Sequence, residues 1–326
     1  MAYIRENLKL ILEKLIRVQA GQSLLIVTDY LARSGSIANI VIELANSMGI
    51  ETILATMEPR THAGQEPSPF ISAAMKTADV TFNIHETGSV GHTTARKEAT
   101  EAGKKFFIMG MENYEYYLRA PIALGELEVV KERTEKLAEM MTKASVARAT
   151  TPYGTDISMS LEGRDALPLA PLSRGWTIPD YGEAAIAPVE GTTEGVVVAD
   201  ASVRGWGYVL RKPIRFEVKK GKVLVDTVWS EIAKQAERFK RTLLMDQDAS
   251  NCAAELGFGT IHIVSEMLRG TFYSDYAMPG TFHIACGRNN DFGGATLSTV
   301  HQDVLMTDGT VKLDDIVILE NGELKI

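Results

Sequence analysis

Cysteine is nearly missing from this 326-residue chain: only Cys252 and Cys286 occur. Two thiols in a protein of this size exclude a disulfide-built scaffold, and each is flanked by small or apolar residues, which predicts buried thiols. Basic blocks are missing too. With a formal net charge of -8 and no basic cluster, nucleic acid and acidic membrane surfaces are disfavoured as partners, and small or neutral substrates fit better. No apolar run reaches membrane-spanning length, and the opening MAYIRENLKLILEKLIRVQAG breaks its apolar rhythm with charge and has no signal-peptide core. The expected location is the cytoplasm. Internal repeats, low-complexity tracts and linkers rich in Pro or Ser are also absent. What remains is ordinary globular material, 45% hydrophobic and 23% charged, enough for a large core and two domains.

Ile4, Leu8, Ile11, Leu12, Leu15 and Ile16 recur at helical spacing, so residues 4–18 predict an amphipathic helix stopped by Gly21. SLLIVT (23–28) predicts a buried strand, and 35–48 a helix with Ile37, Val41, Leu44 and Ala45 on one side. ETILATM follows as a strand, then a helix around 67–77, the strand DVTFNI, a helix around 93–102 and the strand KKFFIMG. Apolar strands separated by helices indicate a parallel α/β sheet. Such sheets often bind nucleotides, yet the turn after the first strand, TDYLARSGS, has neither G-x-G-x-x-G nor G-K-[ST]. A Rossmann cofactor or nucleoside triphosphate is disfavoured. His85 and His92 fall in the loop HETGSVGHTTARKEA and read as surface or loop-packing residues, because no carboxylate stands beside them at metal-ligand spacing.

A charged helix is predicted over 125–143, with Leu127, Val130, Leu137 and Met141 on its buried side. Beyond it the texture changes to short alternating segments, TDISMSLEG, EGVVVAD and IRFEVKKGKVLVD, with KKGK (219–222) and ENGE (320–323) as hairpin turns and one helix at about 228–244. The expected fold is α/β: an N-terminal parallel α/β sheet domain, residues 1–143, followed by a β-rich α+β metal-binding domain, residues 144–326.

The metal expectation rests on residues 252–303. Three of the six histidines lie there, His262, His283 and His301. His301 stands two residues before Asp303, so on a strand both side chains point to one face. A His-x-Asp pair is also a common hydrogen-bonded couple, and only further ligands distinguish the two readings. Glu255 and His283 supply donors of the kind that divalent zinc, iron, manganese and cobalt accept. Gly280, Gly287, Gly293 and Gly294 suit close backbone approach around a site. His262, in GTIHIV, reads as a strand or packing residue.

YGEAAIAP (181–188), AAELGFG (253–259), GTFHIACGRN (280–289) and VHQD (300–303), in that order, resemble the metal-site signature of the aminopeptidase T family of metallopeptidases. HTTARKEATEAGKKFFIMG and TPYGTDISMSLEGR extend the likeness into the rest of the chain. The resemblance implies a pair of divalent ions, zinc, cobalt or manganese, held by Glu183, Glu255, His283, His301 and Asp303, with Glu255 the shared, catalytic carboxylate. It implies amide hydrolysis by metal-activated water on a small-molecule or peptide substrate, releasing the N-terminal residue of a peptide or cleaving a related small amide, and a homodimer or higher homo-oligomer. Two close cations need a shared anion to offset their repulsion, and together can activate water and polarise a carbonyl.

The chain departs from that pattern in two places. The peptidases carry a tyrosine seven residues after the histidine matching His283, and here Asn290 stands there. They also have an acidic ligand just ahead of that histidine, where SDYAMPGTFH offers only Asp275. A related branch, the 2,5-dihydroxypyridine 5,6-dioxygenases, resembles the same fold but holds one ferrous ion by two histidines and an aspartate. That branch has histidine at the position of Glu255 and no ligand equivalents of Glu183 and His283. The hydrolase reading therefore ranks first and the ring-cleaving dioxygenase second. If the site is real, the five side chains converge on one cavity, and without a cation crowding raises their carboxylate pKa values.

Overall fold

The computed structural model describes residues 3–62, 64–111, 124–170, 176–177, 182–260, 268, 270, 275–276 and 280–326. Contacts divide the chain into two compact units, Met1–Lys131 with Leu169–Tyr181, and Glu132–Pro168 with Gly182–Ile326. This partition places residues 132–143 in the second unit and 169–181 in the first, where the sequence suggests one cut after 143.

The first unit is the expected parallel layer. Strands β1 (Ser23–Asp29), β2 (Glu51–Met57), β3 (Val80–His85) and β4 (Lys105–Gly110) alternate with helices α2 (Ala32–Ser47), α3 (Pro69–Thr77) and α4 (Thr94–Glu101). The sheet order is β2-β1-β3-β4, extended beside β4 by the short strand Trp176–Thr177. That pairing returns part of the 169–181 segment to the first unit. Ile26, Phe82, Ile84 and Phe107 meet Ile37, Val41 and Leu44 of α2 and Leu8 and Leu12 of the first helix in one core.

Two expectations shift. The first helix is α-helical only over Ile4–Leu10 (α1), then widens to a π-helix over Ile11–Ile16 and ends at Arg17 in the left-handed region, short of Gly21. Strand β2, at the sheet edge, is not buried on both faces and leaves Ile53 and Leu54 exposed.

The strand order reverses between β1 and β3, the place where open α/β sheets usually take ligands. Here the chain fills it. Glu86 Oε1 accepts the backbone N–H of Arg33 at 2.8 Å and of Ser34 at 3.2 Å, so a carboxylate sits on the α2 N-terminus. Asp29 accepts the N–H of Glu86 at 2.8 Å and fixes that carboxylate's backbone. A helix N-terminus already bonded to the chain's own carboxylate agrees with the lack of a phosphate fingerprint.

Helix α5 (Leu124–Lys143) has Leu127, Val130, Leu137 and Met141 buried, as its pattern predicts. The second unit holds two antiparallel sheets. The larger combines β5 (Val146–Thr150), β6 (Asp156–Ser160), β10 (Glu194–Ala199), β11 (Ile214–Lys219), β12 (Lys222–Trp229), β16 (Thr310–Leu313), β17 (Ile316–Glu320) and β18 (Glu323–Leu324). Both hairpin turns occur as expected, with Lys220-Gly221 and Asn321-Gly322 at positive φ. The expected helix at 228–244 is shorter, α6 (Ala233–Leu243), because β12 claims residues 228 and 229.

The smaller sheet has the order β15-β14-β13-β9 across β15 (His301–Met306), β14 (Phe282–Gly287), β13 (Glu255–Gly259) and β9 (Glu183–Ile186), with Leu167–Leu169 (β7) at its edge. One face carries Ala184, Ile186, Leu256, Phe258, Phe282, Ile284, Cys286, Val304 and Met306, all in the unit's core together with Phe216 and Phe239. Strand alternation then sends the intervening residues to the opposite face. Both cysteines are buried and free. Among the described residues no helix is long and apolar enough to cross a membrane.

Phe216 is fully buried, with its ring 5.3 Å from that of Phe239. Phe216→Ala is expected to cost the second unit about 3–5 kcal/mol. The measurement is the shift in urea midpoint followed by near-ultraviolet circular dichroism.

Candidate metal centre

Antiparallel register decides which side chains share the face opposite the core. Glu183 pairs with Gly259, Ala185 with Gly257, Gly257 with His283, Glu255 with Ala285, Ala285 with Asp303, and Gly287 with His301. The large donors thus alternate with glycine or alanine across four neighbouring strands, and the small residues leave room for the donors to turn toward one another. Gly257 is the sharpest case. A Cβ there would lie 2.2 Å from His283 Nε2 and 2.9 Å from Glu183 Oε1. Gly287, at φ +103, lets β14 pass the Val300 carbonyl, which a Cβ would approach to 2.2 Å.

All five predicted residues come together and are buried. His283 Nε2 is 2.7 Å from Glu183 Oε1 and 3.1 Å from Glu255 Oε1. His301 Nε2 is 2.9 Å from Glu255 Oε2 and 3.1 Å from Asp303 Oδ1. The cluster is therefore two triads, Glu183–Glu255–His283 and Glu255–His301–Asp303, with donor atoms in each within 4.8 Å of one another. Glu255 belongs to both, giving one oxygen to each imidazole.

His85 and His92 belong to neither triad and are buried, as loop-packing rather than surface residues, and His85 Nδ1 donates to the Thr87 carbonyl at 2.6 Å. Asp275 is buried, accepts the Gly270 N–H at 2.9 Å and belongs to neither triad. His262 lies outside the described residues.

The sequence did not point to several residues around the triads. Arg204 Nη1 reaches Asp303 Oδ2 at 3.1 Å, and the Arg204 backbone N–H donates to the Asp303 carbonyl at the same distance. His301 Nδ1 donates to the Arg288 carbonyl at 2.9 Å, and the Phe292 ring lies nearly parallel to His301, 5.8 Å away. The Tyr276 ring packs on His283 at 4.5 Å. Gly257 was passed over as well, although ELGFG carries a signal for it by placing glycine two and four residues after Glu255 on one strand face. Arg204 and Tyr276 stand in no pattern with the ligands.

The donor chemistry fits a cation. With Nδ1–H bonded to Arg288, neutral His301 would present a lone pair at Nε2 to two carboxylate oxygens, an arrangement of acceptors facing acceptors. A proton or a metal ion must stand between them. Asp303 Oδ1 is likewise buried with no hydrogen bond among the described residues.

Without metal, protons do this work. Burial opposes charge on both imidazoles, but the facing carboxylates win, Glu183 and Glu255 at His283 and Asp303 and Glu255 at His301, raising each to about 10. Burial, reinforced by the charge of Glu255, raises Glu183 to about 7 against the pull of His283. Glu255 and Asp303 move the other way. Burial pushes both up, but the two imidazolium groups outweigh it at Glu255, and His301 with Arg204 does so at Asp303. The expected general rise of the carboxylates is thus corrected to a rise at Glu183 alone, because the histidines take up the protons first.

These protons must leave before Nε2 can bind a cation. Divalent metal added to the apo protein at pH 7 is expected to release protons, and affinity to fall as pH is lowered. Titration in two buffers of different ionisation enthalpy measures the release. Gly257→Ala is expected to weaken cation binding by the Glu183–Glu255–His283 triad at least about tenfold with the far-ultraviolet spectrum unchanged, because the new methyl occupies the space where His283 and Glu183 meet.

Comparison with known proteins places this site in a family. No curated protein matches the sequence. Among solved structures, 2,5-dihydroxypyridine dioxygenase from Pseudomonas putida KT2440 superposes with a TM-score of 0.77 at 15% identity, covering 98% of this chain and 97% of that one. Wild-type AmpT from Thermus thermophilus superposes with a TM-score of 0.69 at 17% identity, covering 100% and 99%. At such identities the likeness is one of fold. The family model for NicX, 2,5-dihydroxypyridine 5,6-dioxygenase, matches residues 11–326, nearly the whole sequence and every residue of both triads, and the chain belongs to that family.

Proposed function

We propose that this protein is a metal-dependent enzyme that opens the ring of a small hydroxylated nitrogen heterocycle with dioxygen, using one ferrous ion held by Glu255, His301 and Asp303. The observation that carries the reading is the dioxygenase family match spanning a buried triad of suitable donors. This ranks the dioxygenase above the amide hydrolase, reversing the order suggested by the sequence motifs.

Charge supports one ion. With both imidazoles neutral, three carboxylates and the Arg204 guanidinium leave two negative charges in the cluster, which a single divalent cation cancels. A ferrous ion with open positions would supply a place where substrate oxygen and dioxygen meet. The chain does the rest. The Arg288 carbonyl turns His301 so that Nε2 faces inward, Arg204 holds one oxygen of Asp303 and leaves the other free, and Glu183 and His283 present polar groups beside the ion.

A second reading, the two-ion amide hydrolase, is favoured by one observation: Glu255 presents Oε1 to His283 and Oε2 to His301, as a carboxylate shared between two cations would.

Metal analysis with paired assays separates them. The dioxygenase reading expects about one iron per chain and oxygen uptake with 2,5-dihydroxypyridine. Two zinc, cobalt or manganese ions with release of the N-terminal residue from a peptide amide would transfer the assignment to the hydrolase. Asp303→Asn and His301→Ala are each expected to lower bound metal more than about tenfold with the fold retained. Wild-type loading in Asp303→Asn would remove that residue from the site.

A further inference from the structure

The two triads share Glu255 but differ in what holds their other members. His301 is fixed from behind by its Nδ1–H bond to the Arg288 carbonyl and flanked by Phe292. Asp303 is fixed by Arg204, whose guanidinium is itself anchored by the backbone bond between the two residues. Gln302 Nε2 donates to the Arg204 carbonyl at 3.0 Å and ties that segment to β15. Both unshared donors on this side, His301 and Asp303, have an outer partner.

His283 has none of this. Its Nδ1 is buried without a hydrogen bond among the described residues. Nothing polar sets its ring rotation from behind, and the face of the imidazole rests on the Tyr276 ring at 4.5 Å, tilted by 48°. Partners of the kind that His301 and Asp303 possess typically strengthen metal binding about 10–100-fold, by fixing the ring and raising the basicity of the ligating atom. A ring contact fixes orientation but contributes nothing to basicity.

We propose that the two cation positions are unequal by construction: Glu255, His301 and Asp303 hold a resident ion, while Glu183, Glu255 and His283 form a weak, exchangeable position whose geometry depends on the Tyr276 ring as a positioning residue. This inference rests on the metal-centre reading above and deepens it. It reconciles the retained five-donor set with a one-ion enzyme, since the second position stays empty at ordinary metal concentrations and fills only at high ones.

The test is a titration of the metal-free protein with manganese, read by electron paramagnetic resonance and native mass spectrometry. Two steps are expected, the first at least about tenfold tighter than the second. Tyr276→Leu removes the aromatic face and is expected to weaken only the second step, whereas Tyr276→Phe keeps the face and should restore it. Imidazole resonances in the apo protein provide a readout independent of metal: His283 signals are expected to broaden in Tyr276→Leu while those of His301 stay sharp. Two equal steps in wild type, or equal weakening of both steps in Tyr276→Leu, would overturn the inference while leaving the metal centre intact. If Tyr276→Leu fails to fold, the wild-type ratio still decides. No manganese bound at any concentration would overturn the metal-centre reading itself.

Discussion

Five ionisable side chains sharing one buried sheet face is the constraint on which the rest of the second unit depends. Burying three carboxylates without compensation is prohibitively costly, so the surrounding structure must supply positive charge. Arg204 supplies one charge permanently, and the two imidazoles supply two more only while protonated. A divalent cation replaces those protons with the same total charge. Two protons and one divalent cation are thus electrostatically interchangeable in this cluster.

Sheet geometry makes the crowding possible. On β9, β13 and β14 the two-residue repeat puts apolar residues on the core side and donors alternating with glycine or alanine on the other, and on β15 His301 and Asp303 face the glycine and alanine of β14. An ordinary side chain at Gly257 would turn a convergent site into a packed face, although the strand could still pair. In this sheet the small residues are as much a part of the site as the ligands.

Much of this was legible in the sequence, and the boundary of what was legible has a physical cause. His301 and Asp303 were readable because a strand fixes their relative direction, and β1 to β4 because buried strands and amphipathic helices leave periodic signals. Glu183 was reached only through a family resemblance, since nothing local reveals that β9 lies two strands from β14. Arg204 and Tyr276 could not be found, because their roles arise from loop positions that no periodicity encodes. The edge position of β2 was missed for a related reason: an apolar strand looks the same whether or not a second neighbour covers it. The ranking of hydrolase over dioxygenase leaned on counting donors, whereas the family match and the charge of the whole cluster weigh the other way.

The carboxylate of Glu86 on the α2 N-terminus has a consequence for the first unit. The N–H groups of Arg33 and Ser34 that an incoming phosphate would need are already spent on the chain's own carboxylate. An anion entering that crevice would first have to displace a side chain tethered to the same backbone, so intramolecular competition guards the helix end.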